Sequence, residues 1–257
     1  MSKPVALITG GGRRRVGYVV AKSLANAGYS IALHYRSSVD SAKLSQAEFQ
    51  ELGVECEIYQ ADIADGDAVD QMCNQVKDRF GRIDVLLTTS SIWSPQKLED
   101  ITPEDVRRNF DVNTLGTFFA AKSAGLIMAG QSDGGVIVTI GDWAIERPYV
   151  DHASYFIAKG AIPTLTRTLA VEMASRNPKV RVNCIHPGPV MLPPGTTDSE
   201  REDLVAATLT KKVDDPEAVA KAVRFFIDND FVTGVCLPVD GGRSIYAQES
   251  HEVNRKA

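Results

Sequence analysis

Val5-Ala6-Leu7-Ile8-Thr9-Gly10-Gly11-Gly12-Arg13-Arg14-Arg15-Val16-Gly17 joins a short apolar run, a glycine-rich turn and the start of an amphipathic stretch. Five residues of this kind ending at glycine read as a buried strand, and the 3.6-residue periodicity of Val16–Ala27 reads as a helix. Glycines let a backbone approach a pyrophosphate, and a helix N-terminus favours negative charge. A glycine cluster alone fits any tight turn. Between a first strand and a first helix it predicts a dinucleotide cradle, built here on Gly10, Val16 and Gly17. Arg15 lies where a guanidinium can reach either the pyrophosphate or a substrate.

The same alternation continues along the chain. Further strands are expected at Ser30–Tyr35, Glu55–Gln60, Val85–Thr88, Val136–Ile140, Arg181–Ile185 and Val235–Val239. Helices are expected between them at Asp40–Leu52, Gly66–Phe80, Glu104–Ala129, His152–Arg176 and Pro216–Asp228, with a short one near Glu200–Leu209. Such alternation predicts βαβ units in a parallel sheet covered on both faces, an α/β fold. No linker or shift in composition divides the chain. One domain is therefore expected over residues 1–245, followed by a polar tail at 246–257. The least regular segment, His186–Ser199, follows a predicted strand and carries Pro187, Gly188, Pro189, Pro193 and Pro194. It reads either as a stiffened surface loop or as a lid whose Val190, Met191 and Leu192 cover a ligand.

The 257 residues are 44% hydrophobic and 24% charged, as in ordinary globular proteins. A net charge of −5 argues against nucleic acid as the main partner. No apolar run approaches the ~20 residues needed to span a bilayer, and the N-terminus lacks a signal-peptide pattern. A cytoplasmic protein acting on a small molecule is expected. Cys56, Cys73, Cys184 and Cys236 are far apart and form no CxxC pair, so they read as idle thiols, with no metal site expected.

Other residues suggest chemistry. The second strand ends in Tyr35-Arg36-Ser37 without the acid that would bind a ribose 2′-hydroxyl. A guanidinium and hydroxyls there suit a 2′-phosphate, so NADP(H) is the expected cofactor. Asp62 and Ile63 end the third strand, where carboxylate and amide can read an adenine ring, or Asp62 can cap the next helix. Tyr155 and Lys159 stand at i and i+4, on one helix face, where a cation favours ionisation of a phenol. Tyr18 and Lys22 share that spacing in a place where no chemistry is expected, so spacing alone decides nothing.

In order and spacing, the Thr9–Gly17 loop, Asp62, Asn113, Tyr155/Lys159, Pro187-Gly188 and Val239-Asp240-Gly241-Gly242 make the chain resemble the classical short-chain dehydrogenase/reductases over nearly its whole length. The resemblance implies a single-domain Rossmann fold with a doubly wound seven-stranded parallel sheet, and hydride transfer from a nicotinamide. It also implies that Tyr155 gives the proton and that Lys159 lowers its pKa and holds the ribose. Asn113 would order a water, and Ser90, Pro187 and Gly188 would line the cofactor site. Relatives are usually homotetramers packed through the long helices holding Asn113 and Tyr155 and through the last strand.

Three departures shape the expected substrate. Asp142 stands thirteen residues before Tyr155, where a typical member has serine. An ionised carboxylate only accepts hydrogen bonds, so Asp142 suits a substrate offering N–H groups, or it must carry a proton itself. The glycine loop with Arg15-Val16-Gly17 and the His34-Tyr35-Arg36-Ser37 segment are similar to those of pteridine reductases, while Thr88-Thr89-Ser90-Ser91-Ile92-Trp93 replaces the family's usual Asn-Asn-Ala-Gly and shares with that subgroup the aromatic position of Trp93. There Asp142 would serve ring reduction and Trp93 would stack on a flat substrate held also by Arg15, Ser91, Tyr155 and Met191. The expected activity is NADPH-dependent reduction of a pterin- or dihydrofolate-like ring. The alternatives are a generic carbonyl reductase, such as one for 3-oxoacyl thioesters, and a non-catalytic dinucleotide sensor. The retained Asn113, Tyr155 and Lys159 argue against the sensor.

Overall fold

The computed structural model describes residues 3–246. The polar tail expected at 246–257 lies outside these residues except for Tyr246. The first strand, β1 (Val5–Thr9), is buried at every position. Its side chains alternate between two cores: Val5 and Leu7 enter one, Ala6 and Ile8 the other. A strand apolar on both faces belongs in the centre of a parallel sheet, because helices cover both sides.

The sheet contains β2 (Ser30–Tyr35), β3 (Cys56–Gln60), β4 (Val85–Thr88), β5 (Gly135–Ile140), β6 (Val180–Pro187) and β7 (Cys236–Val239) beside β1. Strand order is β3-β2-β1-β4-β5-β6-β7, and all pairs are parallel. The order reverses between β1 and β4, so their carboxyl ends open a crevice there. On one face pack α1 (Val16–Asn26), α2 (Val39–Glu51) and α9 (Glu217–Asp228). The other face carries α3 (Gly66–Phe80), α5 (Gly116–Ala129) and α7 (Ile162–Ala174). Two shorter helices, α4 (Pro103–Asn109) and α6 (Ala153–Gly160), precede α5 and α7, and α8 (Asp198–Ala206) follows the proline-rich segment.

Two expected long helices are broken. Glu104–Ala129 becomes α4, a π-helical turn at Phe110–Leu115, and α5. The wider turn buries Val112, Asn113 and Thr114 together, and such insertions commonly mark functional sites. His152–Arg176 breaks into α6 and α7 at Ala161, where Pro163 falls within the first two positions of α7.

The thiols need one correction. Cys56 and Cys73 are buried, and burial pushes their thiols up to about 12. Cys184 and Cys236, 52 residues apart, are directly paired across β6 and β7. Cys184 first and then His186, beside the Cys236 thiol, lower its pKa, while burial raises that of Cys184.

Candidate active site

A cleft of about 690 Å³ opens along the carboxyl ends of the central strands. At one end it is lined by Gly10, Arg13, Arg15, Val16, Gly17, Tyr35, Arg36 and Ser37. Gly10 has φ +70°, a left-handed conformation that glycine adopts without strain. Gly17 is required by close packing: a Cβ there would come 2.4 Å from Thr89 Oγ1. That hydroxyl donates to the Thr9 carbonyl, and Thr9 Oγ1 accepts from Ser90 N–H at 3.3 Å. Threonine hydroxyls thus join the ends of β1 and β4.

The arginine triplet divides. Arg14 turns outward to Glu48 at 2.7 Å, while Arg13 and Arg15 line the cleft. Among the described residues Arg36 has no ion-pair partner. α1 begins at Val16 after an extended Arg15, with no side-chain cap and no acid in its first turn. By contrast α3, α4 and α8 are capped by Asp65, Thr102 and Thr197. Tyr18 N–H donates to the Arg15 carbonyl at 3.0 Å, while no side chain caps the first turn of α1, whose N–H groups of Val16 and Gly17 suit an anion.

His34 is a residue that pattern reading missed. It is buried, accepts from Gly10 N–H on Nδ1 at 3.0 Å, and donates from Nε2 to the Ala61 carbonyl at 3.0 Å. These bonds require the neutral ring with its proton on Nε2, and burial lowers its pKa accordingly. One imidazole thus ties the loops after β1 and β3 together. Nothing local marks such a role, since it depends on three strands being adjacent.

Deeper in the cleft stand Ser90, Ser91, Trp93, Asp142, Tyr155 and Lys159, with Ile63, Ile140 and Pro187 around them. Asp142 ends the segment after β5. Its Oδ1 accepts from Ala144 N–H at 2.8 Å, capping the short turn Trp143–Ile145, and its Oδ2 accepts from the Tyr155 hydroxyl at 2.7 Å. It is both a cap and the partner of Tyr155. Lys159 is buried and its Nζ donates to the Ile140 carbonyl at 2.9 Å.

The expected acidification of Tyr155 is not what this geometry produces. Burial raises the Tyr155 pKa most, and the charge and hydrogen bond of Asp142 raise it further. Lys159 is itself lowered by burial. The proton is held on the phenol and pointed at Asp142.

Four expected site residues do not line the cleft. Asn113 is fully buried, and its carboxamide is spent. Oδ1 accepts from Ser91 Oγ–H at 2.8 Å and Ile92 N–H at 2.9 Å, while Nδ2 donates to the Ile92 carbonyl at 3.1 Å and Asn109 Oδ1 at 3.2 Å. It positions the Ser91–Trp93 loop, and its side chain has no bond left for a water. Asp62 is exposed, with its Oδ1 accepting from Ala64 N–H at 3.0 Å, the local capping alternative. Gly188 faces Asp240 and donates to the Val239 carbonyl at 2.9 Å. Met191 stays half-buried outside the cleft, and of the supposed lid segment Pro187 and Pro194 line it. The segment is tied down, Leu192 N–H donating to Asp214 at 3.2 Å.

Trp93 remains 47% exposed at the cleft, so one of its surfaces is open. It stacks on His152 with centroids 4.7 Å apart and donates to the Tyr149 hydroxyl at 3.3 Å. The comparison pair, Tyr18 and Lys22, has no such setting: Tyr18 packs on Phe49 and is pushed up to about 12 by burial, while Lys22 meets Glu48.

Residues 12–244 match the family described as Enoyl-(Acyl carrier protein) reductase. The chain is 32% identical over 254 residues to versicolorin reductase of Emericella nidulans, covering 93% of this chain and 94% of that one. It is 31% identical to the 3-oxoacyl-[acyl-carrier-protein] reductase of Synechocystis, covering 96% and 99%. It is 30% identical to tetrahydroxynaphthalene reductase of Pyricularia oryzae, covering 93% and 88%. A crystal structure of a dehydrogenase/reductase from Sinorhizobium meliloti superposes with a TM-score of 0.86 at 30% identity, covering 95% of this chain and 96% of that one. Among the described residues, no helix is long and apolar enough to cross a membrane.

Proposed function

The chain belongs to the short-chain dehydrogenase/reductase family and is an oxidoreductase of that family, and we propose that it is an NADPH-dependent reductase of a carbonyl on a planar ring that also carries a hydrogen-bond donor. The observation that carries this reading is the 2.7 Å bond from the Tyr155 hydroxyl to Asp142. While that bond stands, the phenol has no proton to offer a substrate. A substrate that brings its own O–H or N–H to Asp142 replaces the bond and frees the Tyr155 proton for the carbonyl oxygen. Without such a donor, the substrate leaves Tyr155 aimed at the carboxylate. The named relatives, which include reductases of a polyhydroxylated naphthalene and of an acyl thioester, support carbonyl reduction.

The cleft fits the proposed cofactor. Arg13, Arg15 and the uncapped start of α1 suit a pyrophosphate, and Arg36 with Ser37 suits a ribose 2′-phosphate. When bound, NADPH supplies the hydride. Lys159 would hold the ribose hydroxyls from its buried site, Trp93 would support the substrate ring, and Tyr155 would transfer the proton.

The test compares a hydroxylated bicyclic ketone with its O-methylated analogue, using NADPH and NADH. Losing a hydrogen bond to a charged group costs about 1.5–3 kcal/mol, or roughly 10- to 150-fold in kcat/KM. Equal rates for the two ketones remove the reading. Asp142 also favours a second reading, reduction of a dihydropterin or dihydrofolate, whose ring N–H groups suit an acceptor-only side chain equally well. Oxidation of NADPH with dihydropterin in the same panel decides between them.

We further propose a homotetramer. Exposed Phe118 and Leu126 on α5, Ile157 on α6 and Val171 on α7 support packing through these helices. Light scattering that gives a monomer would remove this proposal.

A further inference from the structure

Behind the cleft, β6 and β7 set Cys184 directly opposite Cys236. His186 lies two residues beyond Cys184 and so shares its face of the sheet. The two sulfurs and a ring nitrogen of His186 all lie within 4.8 Å of one another. Cys184 and His186 are buried at 0% and 4% exposure, while Cys236 is half-buried and leaves one side open. His186 Nε2 is buried with no hydrogen-bond partner among the described residues. None of the three lines the cleft.

We propose that Cys184, His186 and Cys236 form a binding site for a thiophilic divalent metal ion such as Zn2+. Two thiolates and an imidazole are donors of the right softness. Bonds of about 2.3 Å to sulfur and about 2.0 Å to nitrogen place tetrahedral donors roughly 3.5 Å apart, so the trio must close by about 1 Å. Rotation of three side chains on a rigid sheet supplies that movement. The thiol protons pass to solvent as the metal–sulfur bonds form, and the neutral ring gives its lone pair. Three protein ligands leave a fourth position for water or another ligand. A disulfide between the two cysteines would leave the orphaned His186 nitrogen without a partner, whereas a metal supplies one. The ring rests on Gly141, where a Cβ would lie 2.8 Å from it, so a bound ion fixes the backbone next to Asp142.

Cobalt titration of the reduced full-length protein tests the site. One Co2+ per chain, with an intense near-ultraviolet thiolate-to-cobalt band displaced by Zn2+, is expected. Cys236→Ser should weaken binding at least tenfold while thermal unfolding shows a folded protein. Absence of the band, or an unchanged cobalt affinity and band intensity in the variant, overturns the site. Should Cys236→Ser not fold, alkylation of the native protein gives the answer. Zn2+ should then slow iodoacetamide labelling of Cys236 at least tenfold, and an unchanged rate overturns the proposal.

Discussion

Replacing Asp142 by asparagine separates its two bonds. The Asn Oδ1 can still cap Ala144, but the group facing Tyr155 becomes an N–H donor where a carboxylate accepted at 2.7 Å. The Tyr155 proton is then no longer trapped, and the bond from a substrate donor to the carboxylate is lost. A charge-assisted hydrogen bond in such a site is worth about 1.5–3 kcal/mol. Asp142→Asn should therefore lose roughly 10- to 150-fold in kcat/KM on the hydroxylated ketone. On the O-methylated ketone it should lose little or gain. The assay is steady-state NADPH oxidation on both ketones with both enzymes, so that the ratio of ratios isolates the coupling between Asp142 and the substrate donor. A coupling of zero, with both ketones slowed equally, would refute the idea that the substrate displaces Tyr155 from Asp142. Asp142→Ser supplies a hydroxyl that both donates and accepts, and should favour the O-methylated ketone.

Arg36→Ala should raise KM for NADPH roughly tenfold or more and leave NADH nearly unaffected, since only the former carries the 2′-phosphate that a guanidinium binds; equal effects on both would contradict the assignment. Gly17→Ala puts a Cβ 2.4 Å from Thr89 Oγ1, and overpacking of this kind costs about 1–3 kcal/mol, read as a lower urea midpoint. His34 is held neutral by burial, with its pKa lowered in the folded state. The unfolded chain therefore binds a proton first, and the stability that His34 confers is complete above about pH 6.5 and is lost as pH falls below it toward the folded value. Urea unfolding between pH 8 and 5 should show that loss, and His34→Gln should flatten it; an unchanged slope in the variant would exclude His34 as its source.

What the sequence made legible was whatever is encoded locally. The apolar runs, the glycine loop and the i, i+4 register of Tyr155 and Lys159 depend on neighbours in the chain, and each lies where its pattern put it. The number of strands came through family resemblance and their order only from the structure, because pairing such as β1 with β4 joins residues about 80 apart. The roles that changed are those decided by contacts of this kind. Asn113 stands in its expected register, yet a loop from 21 residues away consumes its amide. Tyr155 has its cation one turn on, yet burial and a carboxylate 13 residues back hold the proton in place. Helical spacing states which groups share a face. It does not state how much water they lose or which partner wins the hydrogen bond. In this cleft those two quantities favour the protonated phenol, and the proposed reading follows from that: a substrate must redirect it. The same reasoning applies at β6 and β7, where cysteines 52 residues apart in the chain lie opposite each other in the sheet. Spacing rules for metal ligands look for cysteines that are close in sequence, and they overlook ligands that strand register brings together.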